Sequence, residues 1–138
     1  MAADVDAQLR ADVARRADHR CEYCLIHEDD VGFHHHLDHI ISRKHGGQST
    51  LDNLALACFL CNRRKGSDVA SIHRGTGEIV RLFHPRRDRW SDHFRIEAEI
   101  IEALTDIGRV TLHLLKLNEP ERAAERRLLQ ALGAYPTA

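Results

Sequence analysis

Four cysteines stand in two Cys-x-x-Cys pairs, Cys21/Cys24 and Cys58/Cys61, with 33 residues between the pairs, and they are all the cysteines of the chain. Each pair on a tight turn presents two thiolates to one side. Four thiolates make the tetrahedral donor set that Zn²⁺ takes in structural sites. A thioredoxin-like redox pair needs no second copy and sits in a βαβ pattern, which neither pair shows. Four sulfur ligands leave no open coordination position, so this metal would be structural and water activation must be sought elsewhere. An apparent zinc-binding energy of about 10 to 16 kcal/mol rivals the whole stability of about 5 to 15 kcal/mol expected of a small domain. Zinc would therefore decide whether the fold exists.

Between and just beyond the cysteine pairs lie His36-Leu37-Asp38-His39-Ile40-Ile41, Gly46-Gly47, Asp52-Asn53-Leu54 and Cys61-Asn62-Arg63-Arg64-Lys65-Gly66. An Asp-His-Ile at a strand end, a Gly-Gly loop, an Asn-Leu 14 residues after the histidine and a Cys-x-x-Cys-Asn-x-x-Lys occur here in one frame. This combination resembles the HNH endonuclease family in its paired-knuckle form, over Arg20 to Ser67. A softer likeness runs through Leu82-Phe83-His84-Pro85-Arg86-Arg87-Asp88-Arg89-Trp90-Ser91-Asp92-His93-Phe94, with Gly108-Arg109 and Leu117-Asn118. It looks like the C-terminal extension of a stand-alone bacterial branch, with His84 where that pattern would have Asn.

The resemblance implies an α+β fold. Its core would be a small ββα-metal unit (treble-clef, His-Me finger) stapled by the four-cysteine zinc and flanked by an N-terminal helix, short strands and C-terminal helices. It implies a metal-dependent endonuclease that hydrolyses phosphodiester bonds of DNA. Asn53, the middle letter of the motif, would bridge the loop and hold the backbone or ring of His39. The third letter here is Asn62 rather than His, as in the Asn-ending variants of the family.

The residue types support that chemistry independently. Phosphodiester hydrolysis needs a base for water, a hard cation for the scissile phosphate and a further cation near the leaving oxygen. His39 is the base candidate, because neutral imidazole accepts a proton near physiological pH. Asp38 and Asn62 offer oxygen ligands to Mg²⁺, Mn²⁺ or another divalent ion. Lys65, one helical turn after Asn62, reaches the same face and would contact phosphate. His36, two residues before Asp38 on one strand face, is a candidate extra ligand. Arg43, Lys44, Arg63 and Arg64 would grip backbone phosphates. Arg86, Arg87, Arg89 and Arg95 form a second basic cluster, or a solvated face paired with Asp88 and Asp92. Taken singly, Asp38 reads as a strand-end cap, His39 as a core histidine, Asn53 as a turn residue and Asn62 as a helix cap; their clustering between the knuckles is what favours a site.

Positioning these groups requires a particular set of elements. Val5, Leu9 and Val13 at i, i+4 and i+8 predict a helix over Asp4–Ala17 with one narrow apolar face. Val31–Ile41 reads as extended, Gly46-Gly47 as a break, and Leu54, Leu56 and Ala57 as the lead into the second knuckle. A strand is expected over Glu78–Phe83, and a pair of short strands or one bent strand over Phe94–Ala103. One helix capped by Thr105 or Asp106 should run to Leu117. A second should open at an Asn118 cap with Pro120 in its first turn, and end at Gly133 and Pro136.

With 138 residues, 43% hydrophobic and 30% charged, the chain fits one soluble domain, with a core over residues 20–67 and an extension over 78–138. The net charge of −1 conceals an uneven distribution: residues 1–37 carry four Arg against eight acids, whereas Asp38–Lys65 carries five basic residues against two acids. Positive charge lies where the motifs are. No apolar run reaches the roughly 20 residues of a membrane helix, and the N-terminus lacks a signal layout, which predicts a cytoplasmic protein with no membrane partner. The expected partner is double-stranded DNA, with a homodimer or a separate targeting partner left open. The alternative function is a non-catalytic zinc-stapled nucleic-acid-binding module.

Overall fold

The computed structural model describes residues 5–137. It is a small α+β structure of short antiparallel strands and several helices, divided into two compact units with the boundary between Ser67 and Asp68.

The first unit opens with α1 (Ala7–Arg16), capped by the Asp6 carboxylate, which accepts from Leu9 N at 2.7 Å. Asp4, where the sequence pattern starts the helix, lies outside the described residues. Leu9 and Val13 do face inward, packing with Ala14 and Leu37 on Leu54 and Leu56. Arg16 extends the contact by donating to the carbonyls of Leu51 and Leu54. The expected long extended stretch is shorter: β1 spans His36–His39 and pairs antiparallel with β2 (Leu54–Ala57) in the register His36↔Ala57 to His39↔Leu54. All four residues of β2 are buried, so its alternate side chains serve both α1 and the site face. Cys58 caps α2 (Phe59–Lys65), which packs against β1.

In the second unit, β3 (Ala70–Ile72) pairs with β4 (Ile79–Arg81), and β5 (Phe94–Glu97) with β6 (Ile100–Ala103). The sequence pattern does not reveal β3, because three residues carry no measurable alternation. A single turn, α3 (Trp90–His93), precedes β5, and α4 (Asp106–Leu115) follows β6 under the expected Thr105 cap. Thr111, buried on α4, accepts from Phe83 N at 2.9 Å and so ties the helix to the chain after β4.

Helix α5 (Pro120–Ala131) has Glu119, not Asn118, at its cap position, and no side chain caps it. The Asn118 amide is committed elsewhere. It accepts from Ile101 N and from Arg126, and donates to Ile101 O, so it fastens β6 to the start of α5. A backbone pair on β6 outcompetes the local N–H groups that a cap would serve.

Candidate active site

The four cysteine sulfurs, from the turn after α1 and from the first turn of α2, all lie within 4.8 Å of one another and all four residues are buried. A tetrahedron with Zn–S bonds of about 2.3 Å has edges of about 3.8 Å. Cys24 Sγ and Cys58 Sγ stand 3.7 Å apart, which fits that edge. The knuckle N–H groups already point at sulfur: Tyr23 N and Cys24 N donate to Cys21 Sγ, and Cys61 N to Cys58 Sγ. Burial pushes the thiols of Cys21 and Cys61 well above their ordinary value, whereas the Cys21 hydrogen bond lowers Cys58. A cation among them reverses the burial cost, since it favours thiolate over thiol. The cluster is compatible with a structural zinc. Glu22 fastens the first knuckle to the hairpin, its amide donating to Leu56 O and its carboxylate accepting from Leu56 N.

Asp38 sits on the face of β1 turned toward α2 and is only 3% exposed. Its two oxygens are engaged: Tyr23 Oη donates to Oδ2 at 2.7 Å and Lys65 Nζ to Oδ1 at 3.3 Å. Burial raises the Asp38 carboxyl, opposed by Lys65 and by the Tyr23 hydrogen bond. Burial and the adjacent carboxylate hold the Tyr23 hydroxyl well above its ordinary value, so it remains a donor.

Lys65 corrects the sequence reading. Its side chain is 2% exposed, and its ammonium donates to Asp38 Oδ1, His39 O and Ile40 O at 3.1 to 3.3 Å. All three of its protons have acceptors, so the ammonium is not presented to a phosphate. It locks the end of β1 to α2 instead. Sequence spacing places it on the correct helix face but cannot show that the hairpin closes over it.

His39 points to the other side of β1 from Asp38, as strand alternation requires. Its Nε2 is 2.8 Å from Ser49 Oγ, which also accepts from Arg43 Nη2 at 3.2 Å. Ser49 escapes the sequence reading; it lies in a polar loop with no motif to mark it. Asn53 holds that loop. Its Oδ1 accepts from Ile41 N, while its Nδ2 donates to the carbonyls of Ile41 and Gln48, each at 2.9 Å. The bonds fall on the backbone beyond His39, not on its ring. Gly47 is required in this crossing, because a Cβ there would lie 1.6 Å from Ile41 O and 2.8 Å from Asn53 Nδ2.

Asn62 lies three residues before Lys65 on the α2 face toward β1, half-buried. Among the described residues its side-chain amide makes no hydrogen bond. His36, exposed at the start of β1, turns to Phe59, with ring centroids 5.9 Å apart. Arg43 and Lys44 occupy a short turn after β1, and Arg63 and Arg64 the last turn of α2. In the second unit, Asp88 holds Arg81, and Arg95 of the arginine cluster holds Glu102. His84 Nδ1 accepts from Arg86 N and Arg87 N, so the imidazole fulfils the turn-capping role that an Asn would have there.

The hairpin, loop, helix and thiol cluster thus occupy a continuous segment from the first knuckle to the end of α2. Residues 21–68 match the family described as HNH endonuclease. The HNH match points to nuclease activity, and the four-cysteine cluster is compatible with the zinc-bearing variant. Residues 69–138 lie outside the match. Neither a curated protein nor a solved structure matches this chain. No helix among the described residues is long and apolar enough to cross a membrane.

Proposed function

We propose that the protein is a metal-dependent DNA endonuclease whose reaction is carried out on the β1–β2–α2 segment, a treble-clef ββα-metal core stapled by zinc. The observation that carries this reading is the coincidence of the HNH match with the loop clamp, in which Asn53 and Gly47 fix the backbone beside His39. Asp38 and Asn62 would hold Mg²⁺ or Mn²⁺. The donor set fits a hard cation: a carboxylate and an amide oxygen, with one lone pair still available on each Asp38 oxygen beside its present bond. A cation held there supplies neutralisation of the charge that develops on the phosphate.

The chain's own residues do the rest. His39, its Nε2 held 2.8 Å from Ser49 Oγ, takes the proton of the attacking water. Asn53 keeps the imidazole's loop from collapsing, and Lys65 holds the carbonyls of His39 and Ile40 so that the strand end does not shift. Arg43, Lys44, Arg63 and Arg64 grip the phosphates on either side. His36, turned to Phe59, is less suited to metal than its strand position implies.

A second reading draws on one specific feature: both oxygens of Asp38 are already occupied in a buried setting, as expected of a zinc-stapled module that binds nucleic acid without cutting it. Incubation of supercoiled plasmid with the purified chain, with and without Mg²⁺ or Mn²⁺, separates the two. Metal-dependent nicking supports the nuclease; binding without any cut supports the module.

A further inference from the structure

Phe59 is the first residue of α2, and 43% of it remains exposed, although it stands on the helix that carries Asn62. It takes no part in the core cluster of Val13, Ala14, Leu54 and Leu56. Its neighbours are an imidazole and a guanidinium: the His36 ring at 5.9 Å and tilted by 50°, and Arg63, whose Cζ lies over one face of the ring at 5.8 Å from its centroid, leaving the opposite face for a base. Phe59, Asn62 and Arg63, at i, i+3 and i+4, share one face of the helix. The aromatic ring is therefore one helical turn from the proposed metal ligand, and its companions are groups that favour a π-face and a phosphate.

We infer that Phe59, flanked by His36 and Arg63, is a stacking platform for an unpaired nucleobase next to the scissile phosphate. The inference rests on the nuclease reading for the identity of the ligand. In a continuous duplex the bases are stacked on one another and show the protein only their edges, so a ring on the surface of α2 has no base face to meet. A gap, bubble or single-stranded stretch supplies one. The positive charge of Arg63 and Arg64 on the same helix suits the backbone of that strand. The substrate implied is DNA with at least one unpaired base at the cut, which narrows the double-stranded expectation drawn from the sequence.

Binding of the full zinc-loaded chain to labelled oligonucleotides, without added Mg²⁺ or Mn²⁺, tests this. Four ligands of equal length would be compared: a duplex, a duplex with a central bubble, a single strand, and that strand with abasic sites. Phe59→Ala and Phe59→Leu should weaken binding to the bubble and single strand by about 5- to 150-fold and leave the duplex and abasic strand within about twofold. Phe59→Trp should retain the affinity. Leucine keeps the apolar bulk without the aromatic face, so a Leu variant that binds as well as wild type would overturn the proposal in favour of a packing role. A second readout does not depend on affinity. Trp90 is the only tryptophan, so Phe59→Trp in a Trp90→Phe background reports position 59 alone. Its fluorescence should be quenched by the single strand but not by the abasic strand. Equal quenching by both, or equal losses on all four ligands, would overturn the inference while leaving the nuclease reading intact. Base-dependent binding by a chain that never cuts would sustain the platform and defeat the nuclease; no binding to any of the four would defeat both.

Discussion

Lys65 distinguishes a phosphate contact from an internal lock. Replacing it by Met keeps the stem and removes three donated hydrogen bonds, leaving Asp38 with only the Tyr23 hydroxyl and the carbonyls of His39 and Ile40 without their donor. Asp38 and Lys65 are 3% and 2% exposed, so solvent cannot replace what is lost. Removing one partner of a buried pair typically costs about 3 to 5 kcal/mol. In a unit of this size each 1 kcal/mol moves the midpoint by about 4 to 8 °C, so Lys65→Met should melt the first unit more than about 10 °C earlier. Trp90 lies in the second unit and would not report this. Release of zinc to a chromogenic chelator during a thermal ramp reads the first unit directly. Asp38→Asn/Lys65→Met should recover much of the loss, because no ionised carboxylate is then left unpaired. If Lys65→Met left the zinc-release midpoint unchanged and instead flattened the salt dependence of DNA affinity by about one unit of log slope, Lys65 would be a phosphate contact and the lock would be refuted.

Metal analysis should find one zinc per chain, and Cys58→Ser or strong chelation should abolish the helical circular dichroism of the first unit; metal-free protein with an unchanged spectrum would contradict this. Gly47→Ala forces a Cβ into Ile41 O and the Asn53 amide, so it should cost about 1 to 3 kcal/mol and reduce cleavage with zinc retained. A fully active, stable Gly47→Ala protein would show that the loop clamp is dispensable. In the second unit, the Arg81 hydrogen bond holds the Asp88 carboxyl down at about 2 against an ordinary 3.8. The stabilisation is present above 3.8 and lost as pH falls through about 2. Because Arg81 is half exposed, Asp88→Asn should cost only about 1 to 2 kcal/mol at neutral pH in urea melts followed by Trp90 fluorescence, with the gap closing between about pH 4 and 2.

The knuckles, the hairpin and the loop are legible in the sequence because each has a local cause: cysteine spacing, apolar residues flanking a Gly-Gly break, and an Asn with a backbone to hold. Leu9 and Val13 read as a buried stripe from periodicity alone, and Thr105 as a cap from its type. What escapes depends on closure in three dimensions. Lys65 reads as a surface cation because nothing in the sequence shows that β1 lies across it, and Tyr23 carries no signal in the sequence because its partner is fifteen residues away. Ser49 sits in a polar loop whose fold is set by Asn53. Asn118 has the composition of a cap, yet its amide is drawn to a strand 17 residues earlier in the chain. His84 departs from the expected Asn and still serves the turn, since imidazole Nδ1 offers an acceptor at the same place.

Cleavage of DNA by this segment, with His39 as base and a cation on Asp38, can be put to a single test. Plasmid nicking would be timed across a range of Mg²⁺ and Mn²⁺ concentrations for wild type, His39→Ala and Asp38→Ala, with zinc content determined for each. His39→Ala should lose about 10² to 10⁴ in rate at every metal concentration. Asp38→Ala should be partly rescued as the concentration rises, with zinc bound throughout. Wild-type protein that cuts neither the plasmid nor a duplex with a central bubble at any metal concentration, or a His39→Ala variant that cuts at the wild-type rate, would contradict this mechanism.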